Sequence, residues 1–207
     1  MRSKKETVAR TVEPTFIEAA RRAQIVRCAI DAIAELGYER ASLAEIAKRA
    51  RVSKSVISYY FASKDELIDQ VVTEVYAAGA AFMLPLLKDD TTAAGALRTY
   101  MKANVAFMGS HRNHVQAVVE IVSSSRTSDG RPRFSVIGQE QVVSDLEGLL
   151  RWGQRTGEFR AFSPNVMAVT IRAVIDSLPP RLAAYPDLDL DRFAVELVDV
   201  FDRATSR

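Results

Sequence analysis

The sequence has few of the residues that staple chains, ligate metals or span membranes. Its one cysteine, Cys28, cannot close an internal disulfide, which suits a reducing cytoplasm. Its two histidines, His111 and His114, stand three apart with no third ligand at a convincing spacing, so no metal site is expected. The longest uncharged apolar run, Val75 to Leu87, covers 13 residues and contains Pro85. That is short of the roughly 20 residues a membrane-crossing helix needs, and no membrane partner is expected. The opening stretch MRSKKETVARTVEPTF lacks the apolar segment of a secretion signal. Glycine-rich phosphate loops and nucleophile elbows are also missing, so neither an enzyme nor a cofactor is expected. Alternating β-branched residues, the mark of half-buried strands, are absent as well.

What is present is ordinary globular material. Hydrophobic residues make up 48% and charged residues 26% of the 207 positions, enough for a sizeable core. Apolar positions recur at helical spacing almost throughout, and the fold class expected is all-α. The formal charge of +2 conceals a division. Residues 1–64 hold 13 Lys and Arg against 7 Asp and Glu, a surplus of +6, whereas the remaining 143 hold 15 against 19, a balance of −4. A basic surplus confined to the front third suggests a small module that meets a polyanion, joined to a larger body that does not.

Helix starts in the front are well signed. In Ser/Thr-x-x-Glu the hydroxyl accepts the backbone N–H three residues on, while the Glu reaches back to the cap. Thr15 with Glu18 opens a helix to about Leu36, ended by Gly37 at a left-handed position; Ser42 with Glu45 opens one to about Ala50; Ser63 with Glu66 opens a long one. Between the last two lies RVSKSVISYYFASKDEL, residues 51–67. Ser53 can cap a helix there, running only from Lys54 to about Tyr60. A long helix followed by two short ones joined by RVS is the pattern of a helix-turn-helix, whose second short helix enters the DNA major groove. Val52, Ile57 and Phe61 are spaced to anchor it. Lys54, Ser55, Ser58, Tyr59 and part of Tyr60 are left outward, all hydrogen-bond donors and none acidic. The alternative for the two tyrosines is packing beneath the fourth helix.

From about Ile25 to Val72 the chain resembles the TetR family of bacterial transcriptional regulators, with SLAEIAKRARVS and SVISYYF as the short helices and SKDEL opening the fourth. The resemblance implies that Ser42 and Lys64, at helix starts, hold phosphates, and that Ser53, Lys54, Ser55, Ser58, Tyr59 and Tyr60 lie on or near the groove. Arg51 stands where the family usually has Gly, and Ser58 replaces a frequent Tyr. VISYYF looks like the choline-responsive, BetI-like branch. The implied organisation is a flexible basic tail over residues 1–14, a three-helix DNA-binding domain over 15–64, and a larger helical effector-binding and dimerisation domain over 65–207.

In the body, about six further helices are expected, with breaks near Pro85 to Asp90, at His111, and in RTSDGRPRF, TGEFRAFSP and LPPRLAAYPDLDL. From Val166 to Leu178 apolar residues lie on nearly every side, with only Arg172 and Asp176 as a polar stripe. Such a helix must be covered twice, by its own core and by something else, here a second copy of the chain. The interface is expected at Met167, Ile171, Val174, Ile175, Leu178, Phe193, Leu197 and Phe201, forming a four-helix bundle. Asn104 and Gln139 are amides set on apolar faces, and each needs a partner from protein, water or ligand. Tyr100, Met101, Met108 and Val143 beside them complete an expected effector pocket for a mostly apolar molecule with a polar group.

Two readings follow. In the first, the chain is a homodimeric DNA-binding regulator of the repressor type, released from an inverted repeat in double-stranded DNA by a small molecule. In the second, it is an architectural or partner-controlled DNA-binding protein whose core is filled and takes no ligand. A continuous cavity beside Asn104 or Gln139 separates them.

Overall fold

Each of the three predicted Ser/Thr-x-x-Glu signals starts a helix, but only Thr15 with Glu18 closes both halves of a capping box. In the computed structural model, which describes residues 15–134 and 140–207, the Glu18 carboxylate accepts Thr15 N–H at 2.8 Å and Thr15 Oγ1 accepts Glu18 N–H at 3.3 Å. They open α1, Phe16–Leu36. Gly37 ends it at φ 82°, ψ 161°. This is not the left-handed helical well expected from the sequence but an extended positive-φ region open essentially to glycine alone. Ser42, Ser53 and Ser63 cap α2 (Leu43–Ala50), α3 (Lys54–Tyr60) and α4 (Lys64–Leu87). The body continues as α5 (Ala93–Ser110), α6 (Arg112–Ser124), α7 (Glu140–Thr156), α8 (Pro164–Asp176), α9 (Leu178–Ala184) and α10 (Leu190–Thr205). The fold is all-α, a helix-turn-helix unit at the front and a larger helical unit behind. The expected basic tail and Gln139 fall outside the described residues.

Prolines break the body less than the sequence suggests. α4 runs through Pro85 to Leu87, giving up one i→i−4 hydrogen bond in its last turn. Pro179 and Pro180 stand in the first turn of α9, where backbone N–H groups have no helical partner in any case. At 24 residues α4 is, by length and composition alone, long and apolar enough to cross a membrane. Its first turns nevertheless carry Lys64, Asp65 and Glu66, and Leu67, Ile68, Val71 and Val75 are buried in the protein.

Two hydrophobic cores result. The front core joins Ile25, Ile30 and Ile33 of α1, Ile46 of α2, Ile57 of α3 and Phe61 to the first half of α4, and it also takes in Ala117 and Ile121 of α6. Residues well past Lys64, where the sequence divides the chain, therefore belong to it. The rear core packs Leu97, Met101 and Val105 of α5 with Leu146, Leu150, Ile171, Ile175, Leu197 and Phe201. In α7, a methyl group on Gly153 would run into the Phe159 ring, so glycine is what lets that ring close the rear core. α4 and α6 are the two helices that reach from one core toward the other.

Candidate nucleic-acid interface and effector cavity

α3 is held by its buried side and by its ends. Ile57 is fully buried, and Ser53 Oγ accepts Val56 N–H at the N-cap. The turn before it is made by Arg51 at φ 54°, ψ 43°, a left-handed conformation that a Cβ disfavours. At the other end Arg22 of α1 acts as a clamp. Its guanidinium donates to Tyr60 O at 2.6 Å, pairs with Glu66 at 3.3 Å and lies 4.2 Å from the centre of the Phe61 ring. These contacts span 38 to 44 residues of sequence, and no local pattern announces them.

The outward side carries the expected donors. Ser42, Ser53, Lys54, Ser55 and Ser58 are all exposed. Tyr59 is 73% exposed, its hydroxyl 3.4 Å from a Glu18 carboxylate oxygen. Tyr60 is half-buried against the front core and meets Tyr59 edge-on, so only part of it faces out. Lys64 is placed differently from the expectation of a free phosphate contact. Its ammonium donates to Tyr38 O at 3.0 Å and sits over the Tyr38 ring, and burial there lowers its pKa against the pull of Glu39 and Asp65.

In the body a cavity of about 370 Å³ opens between α4, α5, α6 and α8. Val75, Tyr76, Gly79 and Met83 of α4 form one wall, Phe107 and Met108 of α5 another, and Val115, Val118, Val119 and Val122 of α6 a third. The α4 and α6 walls were missed in the sequence, because their valines read there as ordinary core spacing. Asn104 and Met108, both expected in the pocket, do line it. Met101 is instead wholly buried in the rear core, and Val143 packs against that core while its neighbour Val142 lines the cavity.

The cavity's polar end is a network that sequence reading left unassembled. Arg172 Nη1 donates to the Tyr100 hydroxyl and to Asn104 Oδ1, each at 3.0 Å, and Nη2 donates to Asp176 Oδ1. Asn104 Nδ2 donates to Tyr100 O at 2.8 Å. The amide is thus satisfied by protein and holds Arg172 in place, while Tyr100 acts from behind Arg172 rather than as a wall. The polar stripe of Arg172 and Asp176 is turned inward, onto the cavity. Burial raises the Asp176 carboxyl above its ordinary range, and Arg172 offsets this only in part.

On the far side of α8 an apolar groove runs against α10, lined by Val166, Met167, Thr170, Val174, Phe193 and Val200 among others. Val166, Val169, Val195 and Val200 are 49–63% exposed. This corrects the expected interface set. Met167, Val174, Phe193, Leu197 and Phe201 border the groove, the last two from the floor of the rear core, but Ile171, Ile175 and Leu178 are buried inside the chain's own rear core. Among the described residues no metal-holding cluster occurs; the rings of His111 and His114 meet edge-on at 5.5 Å.

Comparison with known proteins divides the chain in the same way. Residues 25–71 match the family described as bacterial regulatory proteins, tetR family. Over 59 residues the chain is 37% identical to the HTH-type transcriptional regulator BetI of Klebsiella pneumoniae (strain 342), a match covering 28% of this chain and 30% of that protein. The chain therefore spans about three tenths of the length of the curated relatives it matches, and the BetI likeness ends with the front. Solved structures share the fold over much more of the chain. FadR from Bacillus halodurans superposes with a TM-score of 0.76 at 19% identity, covering 88% of this chain and 94% of that one. FadR from Bacillus subtilis, solved in complex with stearoyl-CoA, gives 0.74 at 21% identity, covering 86% and 96%. The capped helix-turn-helix of residues 25–71 is thus a DNA-binding unit of the TetR family, and the all-helical body behind it shares its fold with the two FadR structures.

Proposed function

We propose that this protein is a DNA-binding transcriptional regulator of the repressor type, acting as a two-fold dimer on an inverted repeat and released by a small molecule held in the body. The observation that carries the reading is the outward side of α3. Lys54, Ser55, Ser58 and Tyr59 are exposed, all can donate and none is acidic, on a helix clamped at both ends. Such a surface matches phosphate oxygens and the acceptor-rich edges of bases in the major groove. The groove between α8 and α10 supports the dimer, since exposed valines in a row are costly unless a second copy covers them.

The route from guest to DNA runs through α4 and α6. The first half of α4 is part of the front core and its second half walls the cavity; α6 buries Ala117 and Ile121 against α1 and turns Val115, Val118 and Val119 to the cavity. A guest that fits one placement of these helices better than another shifts the spacing of the two recognition helices. The shift is limited to the difference in its affinity for the two states. The stearoyl-CoA in the B. subtilis neighbour supports a small-molecule role for a body of this fold. We place the boundary of the DNA-binding unit within α4, past the expected position 64, because the front core extends to Val75.

The test is a gel-shift titration of the full chain on inverted repeats from the DNA flanking its own gene. The expected result is saturable, sequence-specific binding that weakens steeply with salt. Equal affinity for scrambled duplexes overturns the reading.

A further inference from the structure

Of the residues that line the cavity, only Arg172 and Asp176 carry full charge, and they are paired with each other. The Arg172 side chain is 11% exposed and that of Asp176 is 33% exposed. Every other wall residue is apolar or neutral. A guest with a net charge would therefore enter a low-dielectric site that offers it no spare counter-ion, and it could gain one only by breaking a buried pair.

The pair is also incompletely satisfied. Nε of Arg172 is buried and has no hydrogen-bond partner, although both terminal nitrogens are engaged. A buried donor without an acceptor is unfavourable, and a small turn of the Arg172 side chain that brings Nε to an oxygen on the guest gains that interaction. Next to it, Asp176 accepts Arg172 through Oδ1 and keeps a third of its side chain open, presenting an acceptor to a donor on the guest. One group that can accept from Nε and donate to a carboxylate, while carrying no charge, is a hydroxyl.

We infer that the effector, resting on the reading of this cavity as the effector site, is a neutral apolar molecule with a hydroxyl seated between Arg172 and Asp176. A free carboxylate and a quaternary ammonium are both disfavoured. The volume, near the small end for ligand sites, and the valine-rich walls fit a compact aliphatic or aromatic body. The pairing of the one cavity acid with Arg172 leaves no unpaired anion to hold a cation of the choline type. The BetI likeness, confined to the front, places no constraint on this end of the molecule.

Three probes with one apolar body test the inference: 1-decanol, decanoate and decyltrimethylammonium, each titrated by calorimetry into the full-length dimer and into Asp176→Asn. In the wild type, decanol is expected to bind at least tenfold more tightly than either ion and to release operator DNA in the gel shift. In Asp176→Asn the amide oxygen still accepts from Arg172, so the fold is expected to hold, as a thermal melt of the variant checks. The Arg172 charge is now uncompensated, and decanoate should gain at least tenfold. If the wild type prefers decanoate, or the ammonium, and Asp176→Asn leaves the order unchanged, the neutral-hydroxyl inference fails while the effector site stands. If none of the three binds and none releases DNA, the inference fails together with the reading of the cavity as an effector site.

Discussion

At the front of the molecule the residues proposed to act lie on the outside of a two-turn helix, whereas in the body they lie on the inside of helices far apart in sequence. The front side chains need only be exposed and correctly aimed, and local caps with one core-facing Ile set their direction. The body side chains need one another: Arg172 is useful only because Tyr100, Asn104 and Asp176 hold it. The front therefore resembles its relatives closely in sequence and the body only in fold. A surface that meets the regular DNA backbone is restricted in residue type, while a cavity wall can be rebuilt from any apolar residues of suitable volume.

The largest expected effect comes from breaking the two sides of α8 separately. Ile171 is fully buried, so Ile171→Glu places an unpaired charge in the rear core and should destabilise the protein by about 3 kcal/mol or more. Val169, half exposed on the opposite side, should tolerate Val169→Glu with its fold intact yet lose the partner copy. Light scattering should then give the 22.9 kDa monomer with a helical circular-dichroism spectrum. A dimer surviving Val169→Glu, together with Val200→Glu, would move the interface elsewhere.

The same helix shows how far sequence reading extends. Apolar residues on nearly all sides of residues 166–178 correctly require two coverings, but a helical wheel does not say which side faces the chain's own core. Ile171, Ile175 and Leu178 were assigned outward for that reason and are buried. In the front, Thr15, Ser42, Ser53 and Ser63 marked the helix starts from their own neighbours, because capping is a matter of three residues. Arg22, which fixes the end of α3, and Arg172, which organises the cavity, act across 38 to 72 residues and leave no local trace. Asn104 stood out as an amide on an apolar face, yet its partners became visible only when α8 was set against α5.

On the front surface, Tyr59→Ala should weaken operator binding by about 1 to 3 kcal/mol at unchanged thermal stability. Lys64→Ala should differ. Because Lys64 is tied to Tyr38 O and lies over its ring, its loss should lower the melting temperature as well as the affinity. If both variants bind as the wild type does, α3 is not the reading helix. In the body the contrast reverses: Asn104→Leu strips an acceptor from the buried Arg172 and should reduce stability by about 1 to 3 kcal/mol. Calorimetry should show the effector response falling with it, while the salt dependence of operator binding stays as in the wild type.

The smallest effect is expected at the turn between the two short helices, where the front departs from the usual family residue. Arg51 holds φ 54°, ψ 43° and is the sole non-glycine residue at positive φ among those described. An L-residue there costs about 1 to 2 kcal/mol of backbone strain. Glycine removes that strain but adds about 0.5 to 1 kcal/mol of unfolded-chain entropy. Arg51→Gly should therefore raise stability by between zero and about 1.5 kcal/mol, seen as a small increase in the urea midpoint at constant slope. Its effect on DNA is the sharper readout. Arg51 is exposed, and if its guanidinium meets a phosphate, the variant should bind all sequences more weakly and lose about one unit from the salt slope. A more stable variant with an unchanged slope would mean that the charge at this turn faces solvent, leaving phosphate contact to the helix starts at Ser42 and Lys64.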